Sequence, residues 1–221
     1  MPHKLPRGLY ALLDDSVRPE LAMIDKARAV IEAGVGVLQL RLEQTPDRVA
    51  LPLIRAVVAV ARPSGVLVIV NDRVDLALAG GADGVHLGAD DLPVDVARKL
   101  LGPEVLIGAT TRSLADIEAA KTLGADHVGL GPIFRTTTKQ VAHAPLGLEA
   151  FGVIARGSPL PVVGIAGITL ETIGQVASAG AWCAAVAGAL FVRPLPDPLP
   201  LGEREAVTRA RALQGAFLSS R

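Results

Sequence analysis

Gly124-Ala-Asp-His-Val-Gly-Leu-Gly-Pro-Ile-Phe-Arg-Thr-Thr-Thr-Lys139 is the stretch from which the fold of this chain is read. A glycine precedes a short apolar run, and the run ends in three hydroxyls and a cation. Glycine takes the left-handed conformation that turns a helix back toward a sheet. Within a strand it lets a ligand approach the backbone closely. Hydroxyls and a lysine past a strand end are donors suited to an anion. A single threonine-rich loop would say little; the weight lies in how often the pattern returns.

The same glycine-bearing exit stands at Ala33-Gly34, Gly80-Gly81-Ala82-Asp83 and Gly180-Ala181-Trp182. Apolar runs of strand length occur at Leu9–Leu13, Val35–Leu42, Val66–Val70, Gly84–Leu87, Val105–Gly108, His127–Ile133, Val162–Ile168 and Cys183–Leu190. Helical patterns separate them. Val49, Leu53, Ala56, Val57 and Val60 form one stripe, with Thr45 as the expected N-cap and Pro46 at the first helical position. Ser113 to Asp116 reads as a capping box, and Thr169 is expected to cap the helix carrying Ile173, Val176 and Ala177. Arg193 to Pro200, with proline at alternate positions, reads as a stiff extended loop before a last helix at about Glu203 to Leu218. Eight strands alternating with helices predict an α/β fold, a single (β/α)8 TIM barrel over residues 1–221. A doubly wound open sheet is the rival, but the first strand lacks a Gly-x-Gly-x-x-Gly turn.

Composition narrows the function. Half the residues are hydrophobic and only 3% aromatic, so small aliphatic side chains build the interior, as suits parallel strands faced by helices. Lys plus Arg and Asp plus Glu number 22 each, which removes the long-range electrostatic case for nucleic acid or a membrane surface. Cys183 alone allows neither an intrachain disulfide nor a multi-cysteine metal site, and it fits a reducing compartment. Met1 to Gly8 does not read as a signal peptide, and no stretch approaches a membrane span. The expectation is a soluble cytoplasmic protein. Association into a homo-oligomer is compatible with the sequence and not specified by it.

A barrel carries its active site at the C-terminal strand ends. Gln39 and Arg41 should point inward there if Leu38 and Leu40 pack outward. An inward arginine needs an anion, whether a ligand or a carboxylate partner. Asn71-Asp72 ends the third strand, and Asp90-Asp91 follows the fourth. Asp72 and Asp91 suit a magnesium ion, which takes one or two carboxylates plus water and phosphate oxygens; helix N-caps are the plainer reading. Thr110-Thr111 ends the fifth strand. Gly164 to Gly167 and Ala187-Gly188-Ala189 close the seventh and eighth, offering backbone amides where barrels commonly hold phosphate. No nucleophile stands beside a base. Cys183 opens its strand and reads as packing, His86 lacks an obvious partner, and His127 reads as structural.

At these residues the chain resembles the thiamine phosphate synthase family, from Leu9 to about Leu190. The ordered set comprises Gln39-Leu-Arg41, Asn71-Asp72, Gly84-Val-His-Leu-Gly88 with Asp91, Gly129-Leu-Gly-Pro-Ile-Phe134, Thr136-Thr-Thr-Lys139 and Val163-Gly-Ile-Ala-Gly-Ile168. The resemblance implies a transferase joining a hydroxymethylpyrimidine diphosphate to a hydroxyethylthiazole phosphate, with pyrophosphate released. It implies pyrimidine diphosphate contacts at Gln39, Arg41, Asn71, Thr110 and Lys139, and thiazole phosphate contacts at Thr136, Thr138, Gly167, Ala187 and Gly188. Arg41, Lys139 and Thr110 would be the catalytic residues, and Asp72 and Asp91 would bind Mg2+. The chain departs from the family pattern at Glu43, where a lysine is usual, and at Ala89, Ala166, Trp182 and Gly188. Two relatives in function stay open beside the synthase: a thiazole tautomerase, which needs a general acid/base where this chain has Pro132, and a non-catalytic barrel that binds thiamine precursors.

Overall fold

A computed structural model of the chain describes residues 5–136, 144–191 and 203–220. Its parallel strands are β1 (Gly8–Asp14), β2 (Val37–Arg41), β3 (Leu67–Asn71), β4 (Gly84–Leu87), β5 (Leu106–Thr111), β6 (His127–Leu130), β7 (Val162–Ile165) and β8 (Cys183–Val186). They follow one another around a closed barrel, β8 pairing with β1. The helices between them are α1 (Met23–Glu32), α2 (Asp47–Ala61), α3 (Val74–Gly80), α4 (Val94–Leu101), α5 (Leu114–Leu123), α6 (Gly147–Gly157) and α7 (Ile173–Ser178). A one-turn α8 (Gly188–Phe191) and the long α9 (Glu203–Ser219) complete the order. This is the (β/α)8 barrel expected from the repeat.

The strand period of two sorts side chains into two apolar bodies. Leu38 and Leu40 join the large cluster between sheet and helices, so their neighbours turn inward. Tyr10, Leu12, Val37, Ile69, Leu106, Val163, Cys183 and Ala185 fill the barrel itself, with Leu5. Glycines at inward positions leave room for rings. A Cβ on Gly108 would strike His127 Nε2 and lie 2.5 Å from His86 Nδ1; one on Gly129 would lie 3.0 Å from His86 Cε1. Trp182, at the other end of the barrel from the strand C-termini, donates its Nε1–H to the Leu5 carbonyl at 2.8 Å. Cys183 is buried packing, its thiol pushed up to about 12 by burial.

The helix boundaries hold several corrections. Pro46 is the N-cap of α2, not its first residue, and Thr45 donates instead to Asp15 Oδ2 at 2.9 Å. The buried face of α2 is Ala50, Ile54, Val57, Val58 and Ala61, with Val49 and Ala56 exposed. The helix is apolar on several sides, so more than one stripe satisfies helical spacing, and a one-residue shift turns the face by about 100°. Thr169 does not cap α7: the N-cap is Thr172, whose hydroxyl accepts from the Thr169 amide at 2.9 Å. The Ser113 capping box is present as expected, as are left-handed glycines at Gly81 and Gly124. The runs drawn as strands to Ile133, Ile168 and Leu190 stop earlier, and Gly188–Phe191 is helical. The proline-rich stretch Arg193–Pro200 lies outside the described residues.

Candidate active site at the barrel mouth

Inward alternation along each strand carries the interior apolar residues up to a polar ring. Asp14 follows Leu12, Gln39 and Arg41 follow Val37, Asn71 follows Ile69, and His86 and Thr110 follow the inward glycines of β4 and β5. Gln39, 4% exposed, donates to Asn71 Oδ1 at 2.6 Å, and Asn71 Nδ2 donates to Asp72 Oδ2 at 2.6 Å. A chain of amides thus ends on a carboxylate. Asp72 sits at φ 61°, with the Arg73 amide donating back to the Asn71 carbonyl at 2.7 Å. That bond spans a γ-turn centred on Asp72. A non-glycine residue held there costs of order 1–3 kcal/mol and persists where surrounding contacts impose it. The Asp72 amide donates to the His86 carbonyl at 2.8 Å, tying this turn to the next strand.

Two residues past His86, the Gly88 amide donates to Asp91 Oδ2 at 2.6 Å. Neither aspartate is a helix N-cap: Arg73 precedes α3 and Pro93 precedes α4. Their carboxylates are therefore held at neighbouring strand ends by something other than helix capping. Among the described residues no cluster of three or more His, Cys, Asp and Glu side chains forms, so any cation here would complete its shell with water or ligand oxygens. That donor set fits a magnesium ion, which favours few carboxylates and keeps its waters.

His86 does have a partner, contrary to expectation. Its Nε2 lies 3.0 Å from Thr110 Oγ1. Burial lowers the ring to about 4, with Asp91 pulling partly the other way, so it is neutral near pH 7. A neutral ring donating from Nε2 leaves the Thr110 hydroxyl proton for a ligand anion. His127, centred 5.9 Å from His86, is completely buried and lowered to about 3 by burial and then by His86.

Arg41 is inward and 13% exposed. Its Nη1 meets Asp14 Oδ2 at 3.1 Å, and its Nε and Nη2 both donate to Glu43 Oε1, at 2.9 and 2.7 Å. Asp14 was not singled out from the sequence, although its place two residues beyond inward Leu12 marks it. Lys26, buried beneath, donates to the carbonyls of Asp14 and Val17 and fixes this turn. Arg112, also not singled out, donates to the carbonyls of Gly131 and Ala144 on either side of residues 137–143.

Across the mouth, Ala166 and Gly167 both have left-handed φ, 79° and 67°. A Cβ on Gly167 would lie 2.7 Å from that of Phe134, and Phe134 N donates to the Ala166 carbonyl. The segment leading to Thr136 is thereby pinned to the loop after β7. Ala187 joins β8 to α8, which begins at Gly188, and its carbonyl accepts from the Leu190 amide at 3.1 Å. Thr138, Lys139 and His143 lie outside the described residues.

Fold and mouth define a class: a (β/α)8 enzyme whose polar ring at the strand C-termini holds carboxylates after two adjacent strands. The model of the family described as thiamine monophosphate synthase matches residues 9–190. The thiamine-phosphate synthase of Myxococcus xanthus is 56% identical over 185 residues, 84% of each chain. That of Anaeromyxobacter dehalogenans is 47% identical over 95% of this chain and 91% of its own. A solved thiamine phosphate pyrophosphorylase from Pyrococcus furiosus superposes with a TM-score of 0.82 at 29% identity, covering 96% of both chains. The chain belongs to the thiamine monophosphate synthase family and is a transferase of thiamine biosynthesis. No helix of the described residues is long and apolar enough to cross a membrane.

Proposed function

We propose that this barrel condenses hydroxymethylpyrimidine diphosphate with hydroxyethylthiazole phosphate, forming thiamine phosphate and releasing pyrophosphate, as a cytoplasmic enzyme of small phosphorylated substrates. The observation that carries this reading is the Gln39–Asn71–Asp72 chain at the end of β3, next in strand order to the Gly88–Asp91 turn that follows β4. Amides that recognise a heterocycle there run directly into carboxylates that hold a cation for its diphosphate. The bond from the pyrimidine methylene carbon to the diphosphate oxygen breaks, and the thiazole nitrogen forms the new bond to that carbon. The reaction asks for orientation and for neutralisation of a leaving group, not for a nucleophilic side chain. Gln39 and Asn71 orient the pyrimidine. Arg41, Thr110 and Lys139 meet the departing diphosphate. Thr136, Thr138 and the backbone at Gly167, Ala187 and Gly188 hold the thiazole phosphate.

Asp72 and Asp91 would hold Mg2+, which when bound supplies charge neutralisation on the diphosphate. Pro132 is buried, its carbonyl accepts from Leu146 N at 2.8 Å, and its side chain has no proton to move, which disfavours a tautomerase. The test is an assay of purified protein with both substrates, reading thiamine phosphate by oxidation to its fluorescent product. Product should form with magnesium, vanish with chelator and return on readdition. In Asp91→Ala the magnesium concentration for half-maximal rate should rise at least tenfold. Activity indifferent to chelator would remove the metal role from both aspartates.

A further inference from the structure

We propose that Glu43 is an internal competitor for the anion that Arg41 binds, so that a diphosphate entering the site exchanges with the Glu43 carboxylate while Asp14 stays in place. The proposal rests on Arg41 being a diphosphate contact. All three guanidinium nitrogens face a carboxylate: Nε and Nη2 face Glu43 Oε1 and Nη1 faces Asp14 Oδ2. A third negative group cannot simply be added. Like charges crowded onto one partly buried cation repel strongly.

The two carboxylates differ in how deeply they are buried. The Asp14 side chain is 5% exposed, and its Oδ1 also accepts from the Ser16 amide at 2.8 Å and the Ser16 hydroxyl at 2.5 Å. Stripping it from Arg41 would leave a buried, unpaired charge, which is costly. Glu43 lies two residues past the end of β2, and its side chain is 49% exposed. Water can take over its hydration when it swings away, and exposed ion pairs are weak. Glu43 is therefore the exchangeable partner. It occupies the guanidinium until substrate arrives, and it lowers the affinity of the site for any anion by the work of displacement.

The experiment is calorimetric titration of the full chain with inorganic pyrophosphate and magnesium, for wild type, Glu43→Gln and Glu43→Ala. Both variants should bind pyrophosphate at least tenfold more tightly, and the gain should disappear when Arg41→Gln is added. The KM for the pyrimidine diphosphate should fall in parallel. Unchanged affinity would show that Glu43 is not displaced, and weakened affinity would show that it positions Arg41; either overturns the proposal. The outcome is separable from the synthase reading. A pyrophosphate gain through Arg41 without any product would sustain the competitor and remove the synthase, whereas full synthase activity without a gain would do the reverse.

Discussion

The pair His86–Thr110 shows how much one side chain depends on its surroundings. His86, half-buried and desolvated at the barrel mouth, is neutral near pH 7, and its Nε2 hydrogen-bonds a hydroxyl expected to face the diphosphate. A hydrogen bond to a charged group contributes about 1.5–3 kcal/mol, so Thr110→Ala should slow turnover by roughly 10- to 100-fold. His86→Phe, which keeps a ring but removes the bond, should cost part of that factor in wild type and almost nothing once Thr110 is already alanine. Kinetics on the four proteins of this cycle check the coupling; additive losses would mean that His86 acts elsewhere. The sequence offered His86 without a partner because Thr110 is 24 residues away, on the next strand, and only the register Asn71↔His86↔Gly108 brings the ring toward it.

Individual elements were legible where local chemistry alone decides them and less so where neighbours do. The Ser113 box is written in four consecutive residues and formed as read. Leu38 and Leu40 fixed the facing of Gln39 and Arg41 through simple alternation. The caps at Thr45 and Thr169 were misplaced, because the Thr45 hydroxyl donates to Asp15 Oδ2 and the Thr169 hydroxyl to Glu171 Oε2. Carboxylate contacts on Arg41 were likewise hidden: Asp14 reaches it across the β1–β2 ladder. The inward glycines of β5 and β6 give a sharp test at this scale. Gly108→Ala puts a methyl against both His86 and His127. Overpacking of this kind costs about 1–3 kcal/mol, so the melting temperature should fall by roughly 2–12 °C. Calorimetry measures it, and a melt equal to wild type would mean that the two rings move aside freely.

At the scale of the whole barrel, two neutral histidines inside it set a response to acid. Each ring titrates near 6.5 when unfolded, but at about 4 and about 3 in the fold for His86 and His127. Below pH 6.5 the unfolded chain binds more protons than the folded one. Their contribution is therefore complete above pH 6.5 and is lost as pH falls toward the folded values, at up to about 1.4 kcal/mol per pH unit for each ring. Urea unfolding between pH 7 and pH 4.5 should show this slope, and His127→Phe should remove about half of it; an unaltered slope would mean that His127 is not held neutral. The closure of the barrel carries a different consequence, one of timing. Leu9 N donates to Gln214 Oε1 across 205 residues, and β1 pairs with β8. A ribosome adding about 5–20 residues per second needs roughly 10–40 s to deliver that partner after Leu9 has been made. For that interval the first strand has no completed barrel to join, and its free edge is open to pairing with other nascent chains.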